Sequence, residues 1–307
     1  MNLVSDMKVA VIGCGYWGKN LVRNFAELGV LSIVCDANEM LAKETAEKYN
    51  VNYKPFQEIL NNPEIQGVII AVPAVQHAIL TEQALKAGKH VFVEKPLALR
   101  VHEANQLCKL ASECKKTIMV GHLLQYHPAF LELNRLVREG QLGKLQYIYS
   151  NRLNLGKFRH EENILWSFAP HDISMILSLV GELPEKIYAV GSQYLNAAVA
   201  DITNTHLVFK NGVNAHIFVS WLHPYKEQKL VIVGDCGMAV FDDGEPWERK
   251  LLLYPHQINW VNGLPNPAKA EATSVPLISA EPLRLECQHF IDCINENKNQ
   301  EQTHKKV

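Results

Sequence analysis

The stretch Gly88-Lys89-His90-Val91-Phe92-Val93-Glu94-Lys95-Pro96 places one lysine at the end of an apolar β run that a proline then stops. Open α/β sheets bind ligands at the carboxyl ends of their strands, so an ammonium at that edge can hold or remove the proton of a hydroxyl. A hydride leaves a carbinol carbon only as that proton leaves. A partly desolvated lysine beside a cationic ring has its pKa pushed down toward this work. Read plainly, Glu94 and Lys95 are a surface ion pair at a strand end, worth little energetically; the proline and the strand-end position favour chemistry. A second polar point is His171-Asp172, in the run Leu165-Trp166-Ser167-Phe168-Ala169-Pro170-His171-Asp172-Ile173. Pro170 predicts a helix beginning there with His171 at its N-terminus, as a proton relay or as a core or capping histidine.

Val9-Ala10-Val11-Ile12 runs into Gly13-Cys14-Gly15-Tyr16-Trp17-Gly18 and then a helical pattern, the order of a dinucleotide fingerprint. Gly13 permits the tight turn, Gly15 the approach of a pyrophosphate and Gly18 close packing of helix on strand, while the helix N-terminus favours phosphate. Asp36 ends the next strand at the expected distance. A carboxylate there accepts the ribose hydroxyls and repels a 2′-phosphate, which favours NAD over NADP; otherwise Asp36 is a plain helix cap. Ala71-Val72-Pro73 ends another strand, in a loop expected beside the nicotinamide half. His77 either belongs to that cofactor side or is a surface helix position, and the second is preferred. Glu94 and Lys95 complete the cofactor-facing residues.

The elements that must carry these residues alternate through the first third. Strands are predicted at Lys8–Ile12, Leu31–Cys35, Val68–Val72, His90–Val93 and Ile118–Val120, with helices at Trp17–Leu28, Asn38–Tyr49, Val75–Ala87 and His102–Cys114. Such alternation means parallel strands joined by right-handed crossovers. After Gly121 the pattern changes: a helix at Ala129–Glu139, a strand at Lys144–Leu153, a helix at His171–Val180, then strands at Asp201–Lys210 and Val213–Leu222 around Asn211-Gly212, a type I′ hairpin signal. Leu230–Val233 and Met238–Phe241 extend a meander, and a helix at Arg284–Asn297 precedes a polar tail expected to fray. The fold class is α/β: a doubly wound parallel sheet over residues 1–121, then an α+β domain with a mainly antiparallel open sheet over residues 122–307.

With 307 residues, 48% hydrophobic and 20% charged, the chain is long enough for two ordinary globular domains. A net charge of −2 without a dense Lys/Arg run argues against nucleic acid as partner. Apolar runs are strand-sized, so no membrane span is expected, and Met1–Lys8 shows no secretory pattern. Seven scattered cysteines without a C-x-x-C pair fit a reducing cytoplasm. Thirteen histidines form no H-E-x-x-H or Cys/His ligand set, so no metal is expected.

Gly13-x-Gly15-x-x-Gly18, Asp36, Glu94-Lys95-Pro96 and His171-Asp172 together resemble the glucose–fructose oxidoreductase / inositol dehydrogenase (Gfo/Idh/MocA) family over nearly the whole chain. The resemblance implies a Rossmann domain, a second α/β domain whose open sheet mediates homodimers or homotetramers, and NAD(P)-dependent redox chemistry on sugar and polyol hydroxyls. It maps the catalytic lysine onto Lys95 and the catalytic histidine onto His171. Many members carry an aspartate four residues before that histidine, where this chain has Ser167. A hydroxyl can pass a proton but not hold one near neutral pH, so a Lys–His pair is the expected machinery, and Asp172 is too close in sequence to stand in. Asn151-Arg152-Leu153-Asn154-Leu155-Gly156-Lys157-Phe158-Arg159-His160 reads as a glycine-containing loop of cations and amides suited to a phosphate-bearing substrate, or as a solvated basic loop. With Leu165–Ile176 it resembles the subgroup that oxidises the 3-hydroxyl of UDP-N-acetylhexosamines or their uronic acids, and Arg152, Asn154, Lys157, Arg159 and Asp172 are candidate substrate residues. Tyr126, in the run Tyr126-His127-Pro128 expected at the domain junction, is a further candidate for the sugar and equally readable as a packed aromatic. The alternatives are a polyol or inositol dehydrogenase, a keto-sugar reductase, an NAD-dependent glycosidase and a non-catalytic NAD(H)-binding regulator.

Overall fold

The computed structural model describes residues 7–156, 158, 162–195 and 197–295, and these form two compact units. In the first, runs of apolar residues become strands covered on both faces. Val9, Ala10 and Val11 have no exposed surface in β1 (Lys8–Ile12), and neither do Val68, Ile69 and Ile70 further on. From β1 the chain passes through α1 (Gly18–Glu27), β2 (Leu31–Cys35), α2 (Glu39–Tyr49), β3 (Asn52–Tyr53), α3 (Phe56–Asn61) and β4 (Ile65–Ile70). It continues through α4 (His77–Lys86), β5 (His90–Glu94), α5 (Val101–Cys114) and β6 (Ile118–Gly121). The strands form one parallel sheet in the order β3-β2-β1-β4-β5-β6. The order reverses between β1 and β4, the place where sheets of this kind open a crevice at their carboxyl edge. Register aligns Ile12 with Cys35 and Ile70, and Ile70 with Val93, so Asp36, Gly13, Ala71 and Glu94 follow one another across that edge.

The second unit holds α6 (Pro128–Arg138), β7 (Leu145–Leu155), α7 (Ile164–Val180), β8 (Lys186–Ser192), β9 (Ile202–Val208), β10 (Asn214–Ser220), β11 (Leu222–Gly234) and β12 (Met238–Asp242). β13 (Leu251–Tyr254), β14 (Gln257–Val261), β15 (Leu264–Ala268) and β16 (Thr273–Ser274) follow. Eight strands form a sheet in the order β16-β13-β12-β11-β7-β10-β9-β8, antiparallel except where β10 lies parallel to β7. Alternation along the strands turns Ile148, Leu207, Ala215, Ile217, Val219, Leu230, Ile232 and Ala239 into a core with residues of α6 and α7.

Four expectations are corrected. The closing helix α8 (Pro282–Asn295) belongs to the first unit, not the second. Phe290 on it packs edge-on against Phe25 and Phe92, with ring centroids 6.4 and 5.8 Å away, and Arg23 of α1 pairs with Glu281 just before it. The helix at His171 begins earlier, at Ile164, and runs through Pro170. Asn163 caps it by accepting from the Trp166 N–H at 3.2 Å, and burial of Ile164, Ala169, Met175 and Ile176 outweighs the one backbone bond that Pro170 cannot make. His171 is therefore mid-helix, one turn beyond Ser167 on the same face. The Asn211-Gly212 connection is not type I′: only Gly212 takes a positive φ, of 92°, and Phe209 pairs with Val213 around a three-residue loop. Asn151 and Arg152 lie in β7, within the strand predicted at Lys144–Leu153, and Asn154 extends that strand, so the first half of the expected loop is not a loop.

Candidate active site

The fingerprint turn is fixed by two glycines. Gly13 has φ +96°, and a Cβ on it would sit 2.5 Å from the Ala71 carbonyl oxygen; a Cβ on Gly18 would sit 1.9 Å from that of Gly13. The first shape lets β1 and β4 diverge, and the second seats α1 on the turn. A Cβ on Gly15 meets nothing within 4 Å, so the backbone there lies open beside the N-terminus of α1. That is the room a pyrophosphate needs. Cys14 is buried, Trp17 is partly exposed and Tyr16 is 84% exposed.

Asp36 does two jobs within the protein. One carboxylate oxygen accepts from the Cys14 N–H at 2.7 Å, and the other from the Asn38 N–H at 2.8 Å. The helix cap of α2 is Asn38, which accepts from Met40 and Leu41. An ionised carboxylate has about four lone-pair positions, so Asp36 keeps capacity for ribose hydroxyls while being held against the fingerprint turn. The residues of this edge fit a bound dinucleotide. Asp36→Ala is expected to weaken NAD about 10-fold or more and to leave NADP nearly unchanged, since hydrogen bonds to a charged acceptor contribute about 1.5–3 kcal/mol. Calorimetric titration with both nucleotides checks this; an unaltered preference would refute the ribose role.

At the end of β5 the Trp17 indole donates to the Glu94 carboxylate, which lies 3.1 Å from where a Cβ on Gly121 would stand. Burial pushes the Glu94 carboxyl up to about 7, against smaller opposing pulls from Trp17 and Lys95. A carboxyl raised in the fold above its reference value of 4.5 adds stability that is whole below that value and lost as pH climbs toward 7. Glu94→Gln, which keeps an acceptor for Trp17, should match the parent protein near pH 4 and exceed it by about 2–3 kcal/mol near pH 8. Urea denaturation without nucleotide measures the gap, and the same gap at both pH values would disprove it.

Lys95 follows, half-buried, and Pro96, Leu97 and Ala98 behind it are buried. His77 is no surface residue: its ring is 1% exposed, with one nitrogen 2.6 Å from the Pro96 carbonyl and the other 2.8 Å from that of Val72. Ala71 and Val72 are half-buried beyond the end of β4, and Pro73 is exposed.

In the second unit His171 is half-buried within α7, and Ser167 is buried. Arg152 and Asp172 have a use other than the one expected. Ser150 and Arg152 share the face of β7 that looks toward α7, and both meet Asp172 there. The Arg152 guanidinium donates to the two Asp172 oxygens at 2.7 and 3.1 Å, and the Ser150 hydroxyl donates at 2.5 Å. Arg152 is 7% and Asp172 1% exposed, so their charges hold strand to helix. Asn154 and Tyr126 are half-buried, while Lys157 and Arg159 lie outside the described residues. Sequence reading passed over Trp17 as a hydrogen-bond partner of Glu94; a tryptophan in a glycine turn was the available signal.

Among the described residues no group of three or more His, Cys, Asp or Glu side chains is placed to hold a metal, and no helix is long and apolar enough to cross a membrane. All seven cysteines are free thiols.

Residues 7–122 match the family model described as an oxidoreductase family with an NAD-binding Rossmann fold. Residues 130–240 match the GFO/IDH/MocA C-terminal domain. A UDP-N-acetylglucosamine 3-dehydrogenase from Acidithiobacillus ferrooxidans is 27% identical over 289 residues, covering 94% of this chain and 88% of that protein. A solved structure of the enzyme of that name from the same organism superimposes with a TM-score of 0.85 at 25% identity, covering 98% of this chain and 94% of the other. An inositol 2-dehydrogenase from Rhizobium meliloti is 25% identical over 254 residues, covering 78% of this chain and 77% of that protein.

Proposed function

The chain belongs to the GFO/IDH/MocA family of NAD-binding oxidoreductases, and from that membership we propose that it oxidises the 3-hydroxyl of a UDP-N-acetylhexosamine or its uronic acid. The observation that carries the substrate is end-to-end similarity to a protein named for that activity, over 94% of this chain. Sharing about a quarter of its residues with an inositol 2-dehydrogenase over 78% of its length keeps a polyol as the second reading.

NAD, when bound, takes up the hydride from the carbinol carbon. The chain's own residues do the rest. Gly15 and the N-terminus of α1 receive the pyrophosphate, and Asp36 holds the adenosine ribose. Lys95 positions the sugar hydroxyl and takes its proton, with His171 as the second proton-handling group. Ser167, one helical turn from His171, is able to pass a proton onward but not to keep it. Asn154, Tyr126, Lys157 and Arg159 remain the candidates for the sugar and its phosphates.

Absorbance of NADH with UDP-N-acetylglucosamine, its uronic acid, myo-inositol and glucose tests the reading; where a keto-acid is added to re-oxidise held cofactor, formation of the corresponding hydroxy acid is followed instead. Turnover confined to the UDP-sugars supports it; turnover of inositol or glucose alone replaces the substrate and keeps the chemistry. A glycosidase would cleave its substrate with no net NADH.

The proposed assembly is a homodimer or homotetramer through the sheet face turned away from α6 and α7. Register across that face aligns Tyr188, His206, His216, Tyr149, Val231, Val240 and Leu252 in one row without a carboxylate or lysine, with Tyr149 and His216 stacked at 5.6 Å. Tyr188→Lys with Val240→Lys should lower the mass seen by light scattering, because like charges would meet across the interface; an unchanged mass would place the interface elsewhere. Free thiols in every cysteine suit a reducing cytoplasm.

A further inference from the structure

His77 is a buried polar group at the carboxyl edge of the first sheet to which the proposed chemistry assigns no task. It is the first residue of α4, and its ring reaches between two loops rather than into a core. One nitrogen meets the carbonyl of Pro96, the residue after Lys95; the other meets the carbonyl of Val72, in the loop assigned to the nicotinamide half. The ring is rigid, so the two contacts of 2.6 and 2.8 Å fix how far the Lys95 loop stands from the Val72 loop. A neutral imidazole offers one N–H and an imidazolium two, whereas an aliphatic side chain offers none and would remove the donor that stands between these two carbonyls.

We propose that His77 is the positioning residue of Lys95: it touches neither sugar nor nucleotide and sets the place of the proton-accepting amine relative to the loop beside the nicotinamide. This rests on the reading of Lys95 as the group that takes the hydroxyl proton. Two consequences separate it from a packing role. Nucleotide affinity, carried by Gly13–Gly18 and Asp36 on other loops, is preserved when His77 is changed. The rate of the chemical step is not, because a displacement of about 1 Å at a reacting group costs about 100-fold.

The test compares His77→Leu, which fills the space without a donor, with His77→Asn, which keeps an amide donor. Expected for the leucine variant are NAD affinity within about threefold of the parent and kcat lower by about 30-fold or more, with substrate KM little changed. The asparagine variant should regain much of the lost kcat. A second readout needs no substrate: limiting acetic anhydride on the NAD-saturated protein, with acetylation of Lys95 measured by mass spectrometry against exposed Lys109. That ratio should change in the leucine variant and return toward the parent value in the asparagine one. Parent-like kcat and labelling in the leucine variant, or a loss of NAD affinity alone, would overturn the proposal. If the parent turns over none of the sugars, the functional reading fails and the labelling ratio still decides the role of His77. Should the leucine variant not fold, His77→Ala with added imidazole replaces it: recovery of either readout supports the proposal and no recovery defeats it.

Discussion

Lys95→Ala should bring hydride transfer down by about 100- to 10,000-fold, the span that a positioned proton acceptor contributes, while NAD binds within about threefold of its former affinity. The split follows from where the residues lie. The backbone of Gly13–Gly18 and the Asp36 carboxylate lie on the loops after β1 and β2, with Asp36 held by the Cys14 N–H, whereas Lys95 follows β5. Lys95→Arg sharpens the test, since a guanidinium keeps the positive charge but does not give up its proton in proteins. If Lys95 only attracts the developing alkoxide, arginine should rescue much of the rate; if it takes the proton, arginine should be nearly as slow as alanine. Single-turnover formation of NADH in the three proteins measures this, with nucleotide affinity by calorimetry alongside. An equal loss of rate and NAD affinity in the alanine variant would make Lys95 a structural residue and remove the basis for the proton-transfer assignment.

The edge that carries Lys95 was readable because each of its strands ends in a residue with a separate physical reason to be there. Strands buried on both faces appear as apolar runs, as Val9–Ile12 of β1, Val68–Ile70 of β4, Val91–Val93 of β5 and Ile118–Val120 of β6 do. The positions just beyond β1, β2, β4 and β5 hold a glycine turn, an acid, a proline loop and a lysine, so the candidate residues of this edge are legible from local pattern alone. What escaped depends on contacts that only the folded backbone makes. His77 at a helix start looks like a surface residue until Val72 and Pro96 are folded around it. Lys89, near Lys95 in sequence, is likewise buried and donates to the carbonyls of Asn62 and Ile65 at 2.6 and 2.8 Å, which nothing in its neighbourhood announces. An amphipathic helix at the chain end fits either domain equally well, and only the aromatic set of Phe25, Phe92 and Phe290 decides it for α8. One omission had a local signal: Asn262-Gly263, with φ of 51° and 77°, marks the hairpin β14–β15 as clearly as any turn in the chain.

Arg152 shows how the same side chain divides two explanations by the size of the effect. A run with two asparagines, a glycine and three cations reads as a phosphate loop, yet its first half continues the β alternation of Tyr147-Ile148-Tyr149-Ser150. Period two then sends Arg152 to the same face as Ser150, under α7, where Asp172 waits. Arg152→Met should therefore cost about 3–5 kcal/mol of stability, because it strands a buried carboxylate with only the Ser150 hydroxyl for company. Adding Asp172→Leu should restore most of the loss, since removing both charges leaves nothing unpaired, and a buried pair replaced by apolar groups is often close to neutral. Tryptophan fluorescence in a urea titration follows this unit well: of the five tryptophans, Trp166, Trp221, Trp247 and Trp260 lie in it and only Trp17 in the other. A phosphate ligand behaves in the opposite way. Arg152→Met would then leave the urea midpoint in place and raise the substrate KM, and the second substitution would restore nothing. The double substitution thus assigns Arg152 to scaffold or to substrate, and for a UDP-sugar the first outcome leaves the phosphates to Lys157 and Arg159.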